Sequence, residues 1–349
     1  MWKFLESEMQ VILGLVENAM RTDAEIAEAY KLKKGTVASI RRRLLDAGAI
    51  TYVNVPAFNK LGCEILGFHI GTTEPSERAD TRTNHYIEFT SKCPQIYHGM
   101  IGGTSVVFFT ALKNATEFDT LVQGHNSFFT GSRRSSKAKL ASVVFPYALS
   151  KCTAVPNFAS IVHGHFQLDV PPPKSIPPES AEVESPDLSE TERMTLVSLV
   201  EHPRSSDREI ASNVGLSRQA VTRIRNKLTE DGFVTTVCVP RLYKWGFEIG
   251  AVAHPKFNME IPWDKRLKTQ PAESIELSFL TLSKADEAVA NYILAKYSDY
   301  SERLENILAW YHKVKAFDEK PEITLFPLER CAELRTFDYG PAVRHLLLA

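Results

Sequence analysis

Apolar residues recur at helical spacing in three short segments near the start of the chain and again in its second half. In both halves the third segment carries three apolar residues on one helix face: Val37, Ile40 and Leu44, and Val221, Ile224 and Leu228. We predict helices over Gly35–Ala47 and Gln219–Asp231 for these segments. A glycine and a β-favouring segment follow each helix, so the pattern predicts three helices and a hairpin, a winged helix-turn-helix, in each half.

The start of the second helix carries the same cap signal in both halves. Thr22 is followed three residues later by Glu25, and Ser206 is followed by Glu209. A hydroxyl at the N-cap and a carboxylate at the third helical position can satisfy two helix-end amides reciprocally. These signals fix where the second helices begin. The first helices are expected just upstream, over Glu8–Val16 and Thr191–Val200.

The two predicted winged helices are related in sequence. A shift of 184 positions aligns Glu6–Ile65 with Glu190–Ile249 without a gap, and about 23 of these 60 positions are identical. Average residue usage gives roughly one identity in twenty by chance. We infer a tandem duplication, with an extended linker at the proline cluster Val170–Pro178 and the acidic run after it.

Each winged helix is followed by segments that predict an α/β domain. In the first half, their order is strand, helix, strand, strand, helix, strand, with Gly102-Gly103 as the turn between the middle strands, as in a ferredoxin-like sandwich. In the second half we predict strands over Glu248–Ala253, Ile275–Leu282 and Glu322–Phe326, and helices over Ala285–Lys296 and Ser301–Val314.

The predicted fold class is therefore α+β, with two tandem units that each consist of a winged helix-turn-helix followed by a ferredoxin-like α/β sandwich. The expected winged helices occupy residues 1–60 and 189–244, and the expected ferredoxin-like domains occupy residues 61–168 and 245–349. A Pro-rich acidic linker is expected at residues 169–188.

Charge is distributed unevenly along the chain. Its 41 Lys and Arg residues nearly balance its 42 Asp and Glu residues, and the net charge of −1 gives no hint of a polyanionic partner. Residues 31–43, however, contain six basic side chains and no acidic one, and residues 217–227 contain four and none. On the third helix of a winged helix, Arg and Lys neutralise phosphates, while Arg, Asn and Gln can pair with purine edges. A solvated helix face is the alternative interpretation.

We predict that the outer faces of the two third helices contact double-stranded DNA. The residues predicted to touch bases or phosphates are Lys33, Lys34, Thr36, Ser39, Arg42 and Arg43 in the first half and Ser217, Arg218, Gln219, Thr222, Arg223, Asn226 and Lys227 in the second. Because the two sets differ, the DNA target of one chain is expected to be asymmetric. A further basic cluster is interpreted as a solvated loop or as a third DNA contact: Arg133, Arg134, Lys137 and Lys139.

The winged helices and the segments after them, Leu32 through Gly62 and Leu216 through Gly246, share the motifs Lys60-x-Gly62 and Lys244-x-Gly246. In these features the chain resembles the Lrp/AsnC family of prokaryotic transcription regulators. The resemblance implies a sequence-specific DNA-binding regulator that forms homo-oligomers through its α/β domains. It leaves open whether a small-molecule effector binds these domains. The family's Gly-x-Asp turn is replaced by Gly103-Thr104-Ser105.

An enzyme is the alternative. Siroheme decarboxylases resemble Lrp-like regulators in fold and use His and Arg near the tetrapyrrole. Five histidines of this chain suggest this alternative: His85, His98, His125, His163 and His165. Because no recognised catalytic motif accompanies these histidines, we expect no enzyme, no catalytic residues and no cofactor. His163-x-His165 with Cys152 is a weak metal pattern on an expected strand edge, and no metal is expected.

The compartment is predicted from what the sequence contains and lacks. Its five cysteines are widely spread without a C-x-x-C pair, which favours a reducing cytoplasm. No uninterrupted apolar stretch reaches about 18 residues, so no membrane span is expected. Acidic residues close to the N-terminus argue against a signal peptide there.

Overall fold

The computed structural model describes residues 4–130, 139–174 and 176–348, which form helices and antiparallel sheets in an α+β arrangement. The first winged helix consists of α1 Glu6–Glu17, α2 Asp23–Ala29, α3 Lys34–Asp46 and β1 Ile50–Pro56. Thr22 caps α2 as predicted, since its hydroxyl accepts a hydrogen bond from the Glu25 amide and its amide donates to the Glu25 carboxylate at 2.7 Å. Val37, Ile40 and Leu44 of α3 are buried, which confirms the predicted core face.

The first ferredoxin-like domain contains β2 Ile65–Thr72, α4 Ala79–Ser91, β3 Ile96–Gly102, β4 Ser105–Leu112, α5 Ala115–Thr130 and β5 Lys139–Pro146. These four strands form the first sheet, in which they pair antiparallel in the order β3-β4-β2-β5. Tyr86, Phe89 and Phe108 are buried in the core of this domain. The predicted ferredoxin-like order is therefore correct.

Two short elements that the sequence did not predict come next. They are β6 Ser150–Cys152 and α6 Ala159–Phe166. The second winged helix follows, with α7 Glu190–Glu201, α8 Asp207–Val214, α9 Arg218–Glu230 and β7 Val234–Pro240. A capping box joins Ser206 to Glu209 as predicted. β1 and β7 form a two-stranded sheet, in place of the hairpin predicted after each third helix.

The second ferredoxin-like domain contains β8 Ile249–His254, α10 Trp263–Thr269, α11 Glu273–Glu276, β9 Ser278–Lys284, β10 Ala288–Leu294, α12 Tyr297–Asp299, α13 Glu305–Lys313 and β11 Glu322–Pro327. Its four strands form the second sheet, in the order β11-β8-β10-β9, which is equivalent to the order in the first sheet.

The helix predicted over Ala285–Lys296 is wrong, because this segment contains the central strand β10. All seven residues of β10 are buried, and it pairs antiparallel with β8 on one side and β9 on the other. A strand buried on both faces has no polar alternation, so its pattern cannot be distinguished from that of a buried helix. The strand predicted over Ile275–Leu282 begins only at Ser278, after α11.

The chain ends with β12 Ala332–Arg335 and α14 Gly340–Leu348. β12 extends the first sheet beside β3, and β6 extends the second sheet beside β9. Backbone contacts divide the chain into two compact units. The first contains Met1–Tyr52, Lys151–Glu179 and Thr236–Glu329, and the second contains Val53–Ser150, Ser180–Thr235 and Arg330–Ala349. Each unit therefore combines the winged helix of one half with the sheet of the other half.

Within each unit, a helix that follows one sheet in sequence packs against the winged helix. In the second unit, α14 contacts α7, and the Arg344 guanidinium donates two hydrogen bonds of 2.8 Å to the Glu201 carboxylate. A Cβ at Gly340 would lie 2.6 Å from Glu201 Cγ, so glycine permits this close approach. In the first unit, α6 contacts α1, and the rings of Phe4 and Phe166 are 5.5 Å apart. No helix in the described part of the chain is long and apolar enough to cross a membrane.

Candidate nucleic-acid interfaces

The outer face of α3 presents all the side chains predicted to contact DNA in the first winged helix. Each of these residues is exposed: Lys33, Lys34, Thr36, Ser39, Arg42 and Arg43. Lys33 is the N-cap residue, and Lys34 is the first residue of the helix. Lys33, Lys34 and Arg42 form no salt bridge with any described residue. Their charges are therefore open to solvent and to an anionic partner.

The outer face of α9 presents most of the corresponding side chains in the second winged helix. Exposed residues here are Ser217, Arg218, Gln219, Arg223, Asn226 and Lys227. Several of them line an open depression along the helix. Arg218 and Arg223 form no salt bridge within the described part of the chain. Both the charge and the amide groups that can read a base edge are thus available on this face.

Two of the predicted contact residues of α9 make local hydrogen bonds. The Ser217 hydroxyl accepts from the Ala220 amide at 3.2 Å and caps the helix. The Thr222 hydroxyl donates to the Asp207 carboxylate at 2.6 Å, and Thr222 is only half-exposed. Thr222 therefore helps to hold α9 against α8.

The sequence did not distinguish basic residues that stabilise the fold from basic residues that face outward. Arg41 Nε lies 2.8 Å from Asp23 Oδ1, and the Arg41 guanidinium also donates to the Arg21 carbonyl at 2.8 Å. Arg225 Nε donates to Asp207 Oδ1 at 2.6 Å in the same way. Both arginines join the third helix of their winged helix to the start of the second.

The last basic residue of each outer face is paired with an acid from the first helix. Arg43 forms a salt bridge with Glu8, and Lys227 Nζ lies 2.6 Å from Glu192 Oε1. The hydrogen bonds from Lys227 and Ser189 lower the pKa of Glu192 to about 2. A DNA phosphate would have to compete with these carboxylates, so Arg43 and Lys227 are weaker candidates than their unpaired neighbours.

The lysines of the two Lys-x-Gly motifs, Lys60 and Lys244, each bind the C-terminal end of a third helix. The sequence identified these lysines only as part of the shared motif. Lys60 Nζ donates to the Asp231 carbonyl at the end of α9 at 2.7 Å. Lys244 Nζ donates to the Ala47 carbonyl at the end of α3 at 2.8 Å. A cation at a helix C-terminus satisfies exposed carbonyls and interacts favourably with the helix dipole. The repetition of the motif was the signal for this role.

The histidines considered for a tetrapyrrole site lie in several environments. His98 and His125 are buried among aromatic rings, and burial lowers the pKa of both to about 4. His85 pairs with Glu77 at 3.2 Å. His163 and His165 lie on α6, where the Nε2 atoms are 2.9 Å from the Val170 carbonyl and 3.2 Å from the Trp245 carbonyl. The strand edge expected for the last two is therefore wrong.

The third basic cluster and the metal pattern are the remaining predicted features. Arg133, Arg134 and Lys137 lie outside the described residues, and Lys139 is an exposed residue at the start of β5. Among the described residues, no group of three or more His, Cys, Asp or Glu side chains could hold a metal ion.

Comparison with known proteins matches residues 188–235 to a family of winged helix-turn-helix DNA-binding domains. The structure of the siroheme decarboxylase NirDL is similar to this chain with a TM-score of 0.51 and 12% sequence identity, and the match covers 97% of this chain and 98% of that one. AsnC of E. coli gives a TM-score of 0.33 and 13% identity over 41% of this chain and 93% of its own length. LrpC of B. subtilis gives a TM-score of 0.32 and 15% identity over 41% of this chain and 94% of its own length. No curated protein matches the sequence.

The comparison with NirDL corrects the expectation that the chain is not an enzyme. The similarity runs through both winged helices and both ferredoxin-like domains, since it covers 97% of the chain, and the matching protein is an enzyme. The absence of a familiar catalytic motif was a poor ground for the exclusion, because function depends on the geometry and chemistry of a site and not on a short motif.

Proposed function

We propose that this protein is a sequence-specific DNA-binding transcription regulator in which α3 and α9 are the two reading helices. The observation that supports the proposal is the same in both winged helices. The inner face of the third helix is apolar and buried, while its outer face carries exposed cations, most of which have no carboxylate partner among the described residues. The match of residues 188–235 to a DNA-binding family supports it independently for α9.

The proposed contacts divide by chemistry. Lys33, Lys34 and Arg42 on α3, and Arg218 and Arg223 on α9, would neutralise phosphates or pair with guanine. Short hydroxyls and amides near the same faces would accept or donate to phosphates and base edges: Thr36, Ser39, Ser217, Gln219, Thr222 and Asn226. Arg43 and Lys227 would contribute less, because each is paired with a glutamate.

The proposal has two further parts, of which the first follows from the family resemblance and the second from the difference between the two reading helices. The α/β domains would form homo-oligomers, which light scattering after size exclusion measures directly. The two reading helices carry different side chains, so a site selected from random DNA by a monomeric chain would be asymmetric. Recovery of two identical half-sites by a strict monomer would contradict the asymmetry.

The test is DNA binding measured by fluorescence anisotropy over a range of salt concentrations. The DNA probe is the sequence recovered by selection from a random pool. K34Q/R42Q and R218Q/R223Q should each weaken binding and reduce the slope of log affinity against log salt by about one unit per lost phosphate contact. R43Q should have a smaller effect than R42Q.

The matched control removes two exposed lysines far from the reading helices in sequence. K265Q/K313Q changes the net charge by the same amount but alters only the second ferredoxin-like domain. If this variant reduces the salt slope as much as K34Q/R42Q does, the binding surface is elsewhere.

A second candidate function is a tetrapyrrole decarboxylase, which the 97% match to NirDL favours. The test is addition of siroheme to the purified chain, with the absorption spectrum and carbon dioxide release as the two measurements. A Soret-band shift with loss of carbon dioxide would favour the enzyme. DNA binding with no spectral change would favour the regulator.

A further inference from the structure

A pocket lies in the second ferredoxin-like domain, between α10, α11 and α13 and the strands of its sheet. Its cavity volume is about 60 Å³, and the cavity continues into space that is open to solvent. We propose that this pocket binds a small monocarboxylate with an apolar body, and that Arg266 is the partner of the carboxylate. The proposal goes beyond DNA binding and does not depend on it.

Arg266 is the charged group of the pocket, and it is only 2% exposed. Its Nη2 donates to the carbonyls of Lys284 at 3.3 Å and Ala285 at 3.1 Å. Its guanidinium lies 3.7 Å from the centre of the Phe257 ring. Its Nη1 is buried and has no hydrogen-bond partner among the described residues.

A buried guanidinium with an unused donor is costly to maintain without a partner anion. No carboxylate in the described part of the chain forms a salt bridge with Arg266. Burial lowers its pKa to about 10, so the side chain is still cationic at neutral pH. A planar carboxylate is the anion whose shape suits the free edge of a guanidinium.

The remaining polar groups of the pocket support an oriented ligand. The Tyr311 hydroxyl donates to Gln270 Oε1 at 2.8 Å, which leaves the Gln270 amide nitrogen as a second donor at the wall. The other polar side chains that line the pocket are neutral hydroxyls, and Arg266 is the one cation among the described lining residues, so one carboxylate is the expected charge of the ligand. A second carboxylate would have no cationic partner.

The apolar wall is formed where two small residues replace large ones. Ala253 of β8 pairs in register with Ala290 of β10. At the corresponding pair of the first sheet, His69 of β2 lies opposite Phe108 of β4, and their rings stack with centroids 4.7 Å apart. Two rings fill the core of one domain, whereas two methyl groups leave space in the other. This space would hold the apolar body of the ligand.

Arg82 of the first domain and Arg266 of the second differ in which of their donors have partners. Arg82 of α4 donates through Nη2 to the Gly103 carbonyl in the β3–β4 turn at 2.9 Å, and its Nη1 donates to the Glu77 carbonyl. Arg266 makes the equivalent turn contact through Nη2, but its Nη1 has no such carbonyl. Arg82 instead leaves its Nε buried without a hydrogen-bond partner among the described residues, so the two guanidinium groups differ in which donor is free, and in the domain with the pocket it is Nη1.

The pocket is lined in part by the proline-rich segment that was predicted to be an extended linker. Ile176 and Pro178 of this segment contribute to the lining. β6 precedes the segment, and the Thr153 amide directly after β6 donates to the Thr281 carbonyl of the second sheet at 2.8 Å. The segment is therefore in a position to contact a bound ligand.

The test is calorimetric titration of the full chain, without DNA, with benzoate, phenylacetate and octanoate. Benzyl alcohol serves as the uncharged counterpart of benzoate. At least one of the carboxylates should bind, and benzyl alcohol should bind at least about tenfold more weakly than benzoate, because it cannot form the charge-assisted pair. Failure of all three carboxylates to bind would overturn the proposal.

Two variants locate the binding. A290L fills the apolar wall without touching Arg266 and should weaken carboxylate binding at least about tenfold. A272L, the same substitution at an exposed alanine of this domain, should leave binding unchanged. R266Q should remove the preference for benzoate over benzyl alcohol. Binding that A290L leaves intact would place the carboxylate elsewhere and contradict the proposal.

The outcome is independent of the proposed DNA function. If the chain binds carboxylates and no DNA, the regulator proposal fails and the pocket proposal remains. If it binds DNA and no carboxylate, the pocket proposal fails and the regulator proposal remains. A change in DNA affinity on addition of the bound carboxylate would connect the two.

Discussion

The two ferredoxin-like domains have the same strand order but fill the space between sheet and helices differently. In the first, Tyr86, Phe108 and Phe129 form a continuous aromatic core around His69 and His125. In the second, alanines occupy four strand positions of the core: Ala251, Ala253, Ala288 and Ala290. The described core of one domain is thus rich in rings, while the core of the other borders a pocket.

The comparison teaches that strand order and register do not by themselves determine whether a sheet carries a ligand site. The registers β2–β4 and β8–β10 place His69 opposite Phe108 and Ala253 opposite Ala290. The two domains differ at this register position by the volume of two side chains, and the smaller pair borders the pocket. A small change of sequence can therefore open or close such a site without a change of fold.

The largest expected effect is on the filled domain. F108A removes a ring that is fully buried and stacked on His69, so it should reduce the free energy of unfolding by about 3–5 kcal/mol. Urea unfolding followed by far-UV circular dichroism measures the loss. A loss below about 1 kcal/mol would mean that the first domain does not depend on its aromatic core in the way that the comparison requires.

An intermediate effect is expected in the pH dependence of the same domain. Burial lowers the pKa of His69 to about 3, whereas an unfolded histidine titrates near 6.5. As the pH falls below about 6.5, the unfolded state takes up a proton that the folded state excludes. Stability is therefore fully present above this pH and is lost below it by about 1.4 kcal/mol per pH unit for each such histidine.

The variant that tests this is H69Q, whose amide can replace the hydrogen bonds that the ring forms with Ser142 and Thr110. Its unfolding free energy should fall less steeply between pH 6.5 and pH 5 than that of the wild type. H312Q, at an exposed histidine, is the control and should keep the wild-type slope. An unchanged slope in H69Q would show that His69 does not contribute to the acid sensitivity.

The smallest effect is expected for the substitution that makes the second domain more like the first. A290L places a larger side chain into existing empty space, so the free energy of unfolding should change by no more than about 1 kcal/mol. In a filled core the same enlargement costs about 1–3 kcal/mol. Urea unfolding of A290L beside A272L measures this, and a loss of about 3 kcal/mol would argue that the pocket is not available space.

The winged helices could be predicted from the sequence because their signals are local. The capping pairs Thr22–Glu25 and Ser206–Glu209, and the apolar spacing of the third helices, lie within a few helical turns. The outer face of α3 follows from the same periodicity, since residues opposite Val37 and Ile40 face solvent. The pairing of Arg43 with Glu8 did not follow, because it joins residues more than 30 positions apart.

The second sheet was harder to predict for a physical reason. β10 is buried on both faces, so its apolar run has the period of neither a helix nor a half-buried strand. Only its pairing with β8 and β9 identifies it as a strand. The pocket could not be predicted because its lining combines elements that are distant in sequence: α10, α11, α13, three strands and the proline-rich segment.

The sequence by itself determined the two winged helices, their caps and the charge of their outer faces, because these depend on residues close together in the chain. Only the tertiary structure decided which sheet each winged helix joins in a compact unit, where β6 and β12 pair, and where Arg266 lies. Such features depend on partners that are distant in sequence. Their stability comes from burial and backbone pairing, which leave no periodic signal in a single chain.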